Sequence, residues 1–172
     1  NNQQDFLNGL QQGISGAGLI TRFDASLFKT RFACELKNFN PEDFLHRKEA
    51  RKLDPFAQYA LVVAEEAMKD SGIELEKVNR MKFGVIWGSG IGGFYTLETD
   101  ISEAALLTGP PRYSPFLIPK LISDIAPGHI SIKYGLMGIN YGTVSACASS
   151  SHAISNAYDY IKYGKANLIL TG

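Results

Sequence analysis

Residues 139–171 read INYGTVSACASSSHAISNAYDYIKYGKANLILT. The stretch INYGTVSA is extended and runs straight into Cys147. The spacing predicts a helix from Ala148 to Tyr163, with Ile154, Ala157, Tyr158 and Ile161 on one face and Gly164 as its stop. ANLILT then reads as a strand. A strand, a helix and a strand in this order predict an α/β layered fold with a mixed or largely parallel sheet.

The rest of the chain agrees with that alternation. Asp5 to Gln12 reads as a short helix ended by Gly13, and SGAGLITRFD as a turn-rich loop. RFACEL alternates as a strand would, which places Cys34 inside a strand and in the core. Asn40, Pro41, Glu42 and Asp43 form a helix start. Pro55 to Ser71 is the clearest helix, with Phe56, Tyr59, Val63, Ala67 and Met68 at three-to-four spacing and Gly72 closing it. MKFGVIWG is a short apolar strand, Gly93 to Leu107 a helix, and TGPPRYSPFLIP a proline-broken loop. Lys120 to Tyr134 reads as a helix interrupted at Pro127 and Gly128.

Composition narrows the function. The 172 residues are 45% hydrophobic, enough for a sizeable core, and suit one domain or half of a larger one. Seventeen basic and seventeen acidic residues cancel, so no global field draws the chain to nucleic acid or to an anionic membrane. Two cysteines make no disulfide framework, and the three histidines, His46, His129 and His152, show no metal spacing. The N-terminus lacks the order of a signal peptide, and no apolar run is long enough to span a bilayer. A reducing cytoplasm is the default expectation. NLILTG reads as a buried strand that needs neighbours, and the chain opens inside a helix with no strand before it, so a longer protein is expected.

Cys147 stands where the extended segment meets the helix. Free N–H groups and the helix dipole at that point favour a thiolate, and the same N–H groups can stabilise the oxyanion of a thioester under attack. Ala146, Ala148 and Ser149 leave space for an acyl group. The spacing alone leaves both a nucleophile and an inert buried cysteine open. His152 lies on the same helix, and five residues turn its ring about 140° from the thiol, which makes it a poor proton partner. WGSGIGG matches G-x-G-x-x-G, but no strand ends in an acid about 20 residues on, so a glycine turn allowing close backbone approach is the better reading. HRKEARKLD concentrates basic residues within about two turns, with Lys48 and Lys52 on one face. That run is either a solvated face or a docking patch for an acidic partner.

WGSGIGG, GPPRYSPFLIP, GHISIKYGLMG, SACASSSHAI and YIKYGKANLILTG, in this order, resemble the N-terminal half of the elongating bacterial β-ketoacyl-[acyl-carrier-protein] synthases. RKEARKLDPFAQYAL is similar to an early helix of that family. The resemblance implies the thiolase-like fold, in which each half carries a mixed five-stranded sheet. It implies homodimers, an acyl carrier protein as partner and no dissociable cofactor. The implied reaction is acyl transfer to Cys147, then decarboxylative Claisen condensation with malonyl-carrier protein. Ile91, Phe116, Leu117 and Ile118 are the implied acyl-pocket residues; Lys48, Arg51, Lys52 and Arg112 are the implied carrier-docking residues. The family's opening strand with its V-T-G-x-G turn has no counterpart here, nor do the two catalytic histidines, lysine and phenylalanine gate of its C-terminal half. This chain alone is therefore expected not to complete the condensation. The competing readings are a polyketide ketosynthase or other thiolase-like acyltransferase, a non-catalytic partner subunit, and a nucleotide-binding domain built on WGSGIGG.

Overall fold

The computed structural model describes residues 2–172. It has two compact units, the first ending at Asn40 and the second running from Pro41 to Gly172. In the first unit, helix α1 (Gln3–Gln11) is capped by the Asn2 side chain, which accepts from the Asp5 N–H at 2.8 Å. Two short strands, β1 (Gly18–Leu19) and β2 (Phe32–Ala33), pair antiparallel. The Glu35 carboxylate closes this ribbon by accepting from the Thr21 hydroxyl at 2.7 Å and the Thr21 N–H at 3.1 Å. The loop expected over SGAGLITRFD thus contains β1. Cys34 lies just past β2 and is exposed, contrary to the core position expected of it: the strand is only two residues long and ends before Cys34.

The second unit follows the predicted alternation. Its elements are α2 (Arg47–Ala50), α3 (Pro55–Ser71), β3 (Phe83–Gly88), α4 (Phe94–Leu106), α5 (Leu117–Leu121), α6 (Ile125–Tyr134), β4 (Asn140–Thr143), α7 (Ser149–Lys162) and β5 (Leu168–Thr171). The three strands are parallel in the order β4-β3-β5, so β3 is central. Phe83, Gly84, Val85 and Ile86 are buried in succession, as expected for a strand covered on both faces. One face packs against α3 and α6 through Ala57, Leu61, Ala64, Ala126 and Ile130. The other packs against α7 through Ile86, Ala153 and Ala157. Three strands therefore stand where the resemblance implies a mixed sheet of five.

The helices differ from expectation in which faces they bury. In α3, Ala57, Ala60, Leu61, Ala64 and Met68 are buried, whereas Val63 and Ala67 are exposed. In α7, Ile154, Tyr158 and Ile161 are exposed and Ala153 and Ala157 are buried. The predicted 120–134 helix breaks over residues 122–124, earlier than expected. Pro127 falls in the first turn of α6, where its missing N–H costs nothing. Among the described residues, no helix is long and apolar enough to cross a membrane.

Candidate active site

β4 delivers the chain to a sharp turn at 143–149. Ser145 has φ −150° and ψ 44°, and Ala146 has φ 49°, a left-handed setting rare for a residue with a Cβ. A single 3-10 turn, Ala146–Ala148, then carries Cys147, which is exposed, and leads into α7. The Cys147 N–H takes no acceptor among the described residues, while the Ala148 N–H donates to the Ser145 carbonyl at 3.0 Å. A free N–H beside an exposed thiol is the arrangement needed to bind the oxygen of a thioester under attack.

Buried Ser149 organises this turn. Its Oγ accepts from the Ser145 N–H at 2.9 Å and donates to the Ala146 carbonyl at 2.7 Å, with the Ser89 carbonyl at 3.2 Å. The Thr143 hydroxyl donates to the Ser149 carbonyl at 2.8 Å, and the Ser89 N–H to the Thr143 carbonyl at 3.0 Å. The end of β3, the end of β4 and the start of α7 thus meet behind Cys147. Gly88 permits this contact, because a Cβ there would lie 2.6 Å from the Ser150 nitrogen. The glycine-turn reading of WGSGIGG is the one the structure bears out. Gly93 approaches the Lys120 carbonyl too closely for any Cβ, and its N–H donates to the Leu121 carbonyl at 2.9 Å.

The other candidate residues are spread around this centre. Ile91 and Ile118 are 68% and 60% exposed, Phe116 is 42% exposed, and Leu117 is half-buried. Ile91 is tied to the break between α5 and α6, since its carbonyl accepts from the Ser123 hydroxyl at 3.3 Å. None of these four residues lines the open cleft of about 550 Å³, which is lined instead by Phe56, Tyr59, Trp87, Ser89, Ser150 and Gly172, among others.

Lys48, Arg51, Lys52 and Arg112 are all exposed. The two-turn basic helix expected here is shorter, because α2 ends at Ala50 and Leu53 turns into the core. Lys52 therefore lies beyond the helix, and its Nζ sits over the Phe116 ring, 5.7 Å from the centroid. This contact brings one candidate docking residue to one candidate pocket residue.

Two features went unread in the sequence. Asp54 is buried, accepts from the Phe56 N–H at 3.2 Å to cap α3, and accepts from the Thr96 N–H at 2.9 Å in the first turn of α4. Its position before Pro55 was the available signal. The second is His152, whose Nδ1 lies 2.7 Å from Ser145 Oγ. The ring is exposed and bonded to the turn, not to the thiol of Cys147. His46 Nδ1 caps α2, accepting from the Lys48 N–H at 3.2 Å. His129 is half-buried on α6; desolvation lowers its pKa, opposed by the charge of Glu49. No group of residues suited to a metal ion occurs among the described residues.

The whole chain, residues 1–172, matches the N-terminal domain of the β-ketoacyl synthases. It is 43% identical over 162 residues to the 3-oxoacyl-[acyl-carrier-protein] synthase 2 of Staphylococcus aureus, covering 94% of this chain and 40% of that protein. It is 41% identical over 172 residues to the enzyme of the same name from Synechocystis, covering 100% of this chain and 41% of the relative. The chain thus spans about two fifths of the length of these relatives. Among solved structures, the ishigamide ketosynthase/chain length factor superposes with a TM-score of 0.87 at 25% identity, covering 100% of this chain and 43% of that one.

Proposed function

The chain belongs to the β-ketoacyl synthase family, through that family's N-terminal domain, and on that premise we propose that Cys147 is the acyl acceptor of a 3-oxoacyl-[acyl-carrier-protein] synthase of fatty acid elongation. The observation that carries this reading is the exposed Cys147, with its own N–H unoccupied, on a turn fixed from beneath by Ser149. The thiolate attacks the carbonyl of an acyl-carrier thioester, and the oxyanion that forms is held by the Cys147 N–H. The carrier thiolate leaves and takes up a proton, which leaves the acyl group on Cys147. Malonyl-carrier protein then loses carbon dioxide, its enolate carbon attacks the Cys147 thioester, and the C–S bond breaks to return the thiolate.

Decarboxylation needs donors to the forming enolate. His46 caps α2 and His152 meets Ser145, each through Nδ1, burial keeps His129 toward its neutral form, and none of the three stands in a motif like those of the family's catalytic histidines. We therefore assign to this chain the acyl-transfer half of the reaction and to residues outside it the decarboxylating half. Ile91, Phe116, Leu117 and Ile118 would flank the acyl chain, and Lys48, Arg51, Lys52 and Arg112 would receive the acidic carrier protein. A homodimer is consistent with the outer edges of β4 and β5, which pair with no further strand among the described residues, since unpaired edges template further pairing.

The test is intact mass after exposure to an acyl-carrier thioester. The expected result is one acyl adduct mapping to Cys147 and none in Cys147→Ala. An adduct that persists in Cys147→Ala, or one on Cys34, would assign the wrong residue.

A further inference from the structure

The turn that presents Cys147 holds a conformation its own residues do not favour. The left-handed φ of 49° at Ala146 is disfavoured wherever a Cβ is present. Such a setting persists only where neighbours over-determine it. Two of the bonds that do so come from Ser149, at the first residue of α7. The third reaches further along the helix: Ser145 Oγ meets His152 Nδ1 at 2.7 Å, seven residues apart in sequence. Unlike Ser149, His152 is exposed, so its bond to Ser145 is not a by-product of filling the core.

We propose that Ser145 and His152 form a positioning pair that holds the 145–147 turn in register with α7, and so sets the thiol and N–H of Cys147 for acyl transfer. The inference rests on the reading of Cys147 as the acyl acceptor. His152 exchanges no proton with the thiol; it acts through the Ser145 hydroxyl. In this bond the Ser145 hydroxyl donates when the ring proton is on Nε2 and accepts when it is on Nδ1. Without the bond, Ser145 is free to rotate, Ala146 relaxes toward an ordinary φ, and the Cys147 N–H loses its aim.

The experiment compares Ser145→Ala, His152→Ala, the double variant and His152→Asn, whose amide oxygen can stand near Nδ1. One readout is the rate of Cys147 alkylation by iodoacetamide, with Cys34 in the same sample as internal reference. The other is the rate and carrier KM of acyl loading from an acyl-carrier protein. Each single Ala variant is expected to slow both rates roughly fivefold, the scale of one lost hydrogen bond. The double variant is expected to be no slower than either single variant, and His152→Asn to recover most of the loss, with carrier KM unchanged throughout. Rates within twofold of the parent in both single variants overturn the proposal, as does a double variant whose loss is the product of the two. If His152→Ala melts early, Ser145→Ala and His152→Asn carry the comparison. Alkylation needs no carrier protein, so a chain that takes no acyl group refutes the assigned reaction while the alkylation rates still decide the pair.

Discussion

Gly88 joins the central strand to the nucleophile turn, and its lack of a side chain is what allows them to touch. A Cβ at this position would lie 2.6 Å from the Ser150 nitrogen and 2.7 Å from the Ser149 carbonyl carbon, both of them backbone atoms. Neither can rotate away, so Gly88→Ala must push the first turn of α7 off β3. The expected loss is about 1–3 kcal/mol, the usual scale of overpacking, read by thermal unfolding. Cys147 alkylation is expected to slow, with Cys34 unaffected. Gly90→Ala is the control, because nothing lies within 4 Å of a Cβ there. Equal melting of the two variants would mean that the turn yields without cost. The sequence made WGSGIGG legible as a close-approach turn because the acid that a dinucleotide site needs is missing. It did not reveal what approaches, since Ser149 and Ser150 lie some 60 positions further along the chain. Cys147 was legible as a residue at a strand-to-helix junction. The bonds of Ser149 and His152 were not, because serines and a histidine in a helix's first turns carry no pattern of their own.

At the scale of elements, boundaries were easier to read than faces. Asp54, Pro55 and Gly72 mark the ends of α3, which spans Pro55–Ser71 as expected. The buried stripe differs from the expected one because apolar size is a poor guide to burial in this helix. The contact of α3 with β3 and α6 is made largely by alanines, which let backbones come close, while Val63 stays outside. The same choice recurs in α7, where Ala153 and Ala157 face the sheet and Ile154, Tyr158 and Ile161 form an exposed row. The α3–α6 contact also carries an ionic clasp at its rim. Glu65 accepts from Lys133 Nζ at 2.6 Å and pairs with Lys69 Nζ at 2.7 Å, and hydrogen bonds from Lys133 and then Lys69 lower its pKa below 4.5. A carboxylate depressed in the folded state adds stability above its unfolded pKa, and that stability is lost as pH falls through the lower folded value. About a third of the Glu65 side chain is exposed, so screening limits the contribution to about 1 kcal/mol or less. Glu65→Gln is expected to melt lower than the parent at about pH 6, and the gap is expected to close as pH falls below the ordinary carboxylate range. A gap that stays constant across that range would show that the clasp acts through packing and not through charge.

On the scale of the whole molecule, a net charge of zero conceals an uneven surface. Lys48, Arg51, Lys52 and Arg112 are exposed, and none of them forms an ion pair among the described residues. By contrast, neighbouring Arg47 pairs with Glu42 at 3.4 Å. Unpaired surface cations steer an acidic partner chiefly through the rate of encounter, an effect that salt removes. Lys52 is an ambiguous probe of this, because its Nζ lies over the Phe116 ring and its loss would also disturb a candidate pocket wall. Lys48 makes no such contact, so Lys48→Glu isolates docking. The carrier KM for acyl loading of Lys48→Glu is expected to rise roughly tenfold at low ionic strength and to approach the parent's near 1 M salt, where the screening length is about 3 Å. Alkylation of Cys147 by iodoacetamide, a neutral reagent, is expected to stay unchanged at both salt concentrations. A KM that rises equally at low and high salt would mean that Lys48 supports the local structure of α2. An unchanged KM would return the basic run to an ordinary solvated face, and carrier recognition would then have to be sought on another surface of the chain.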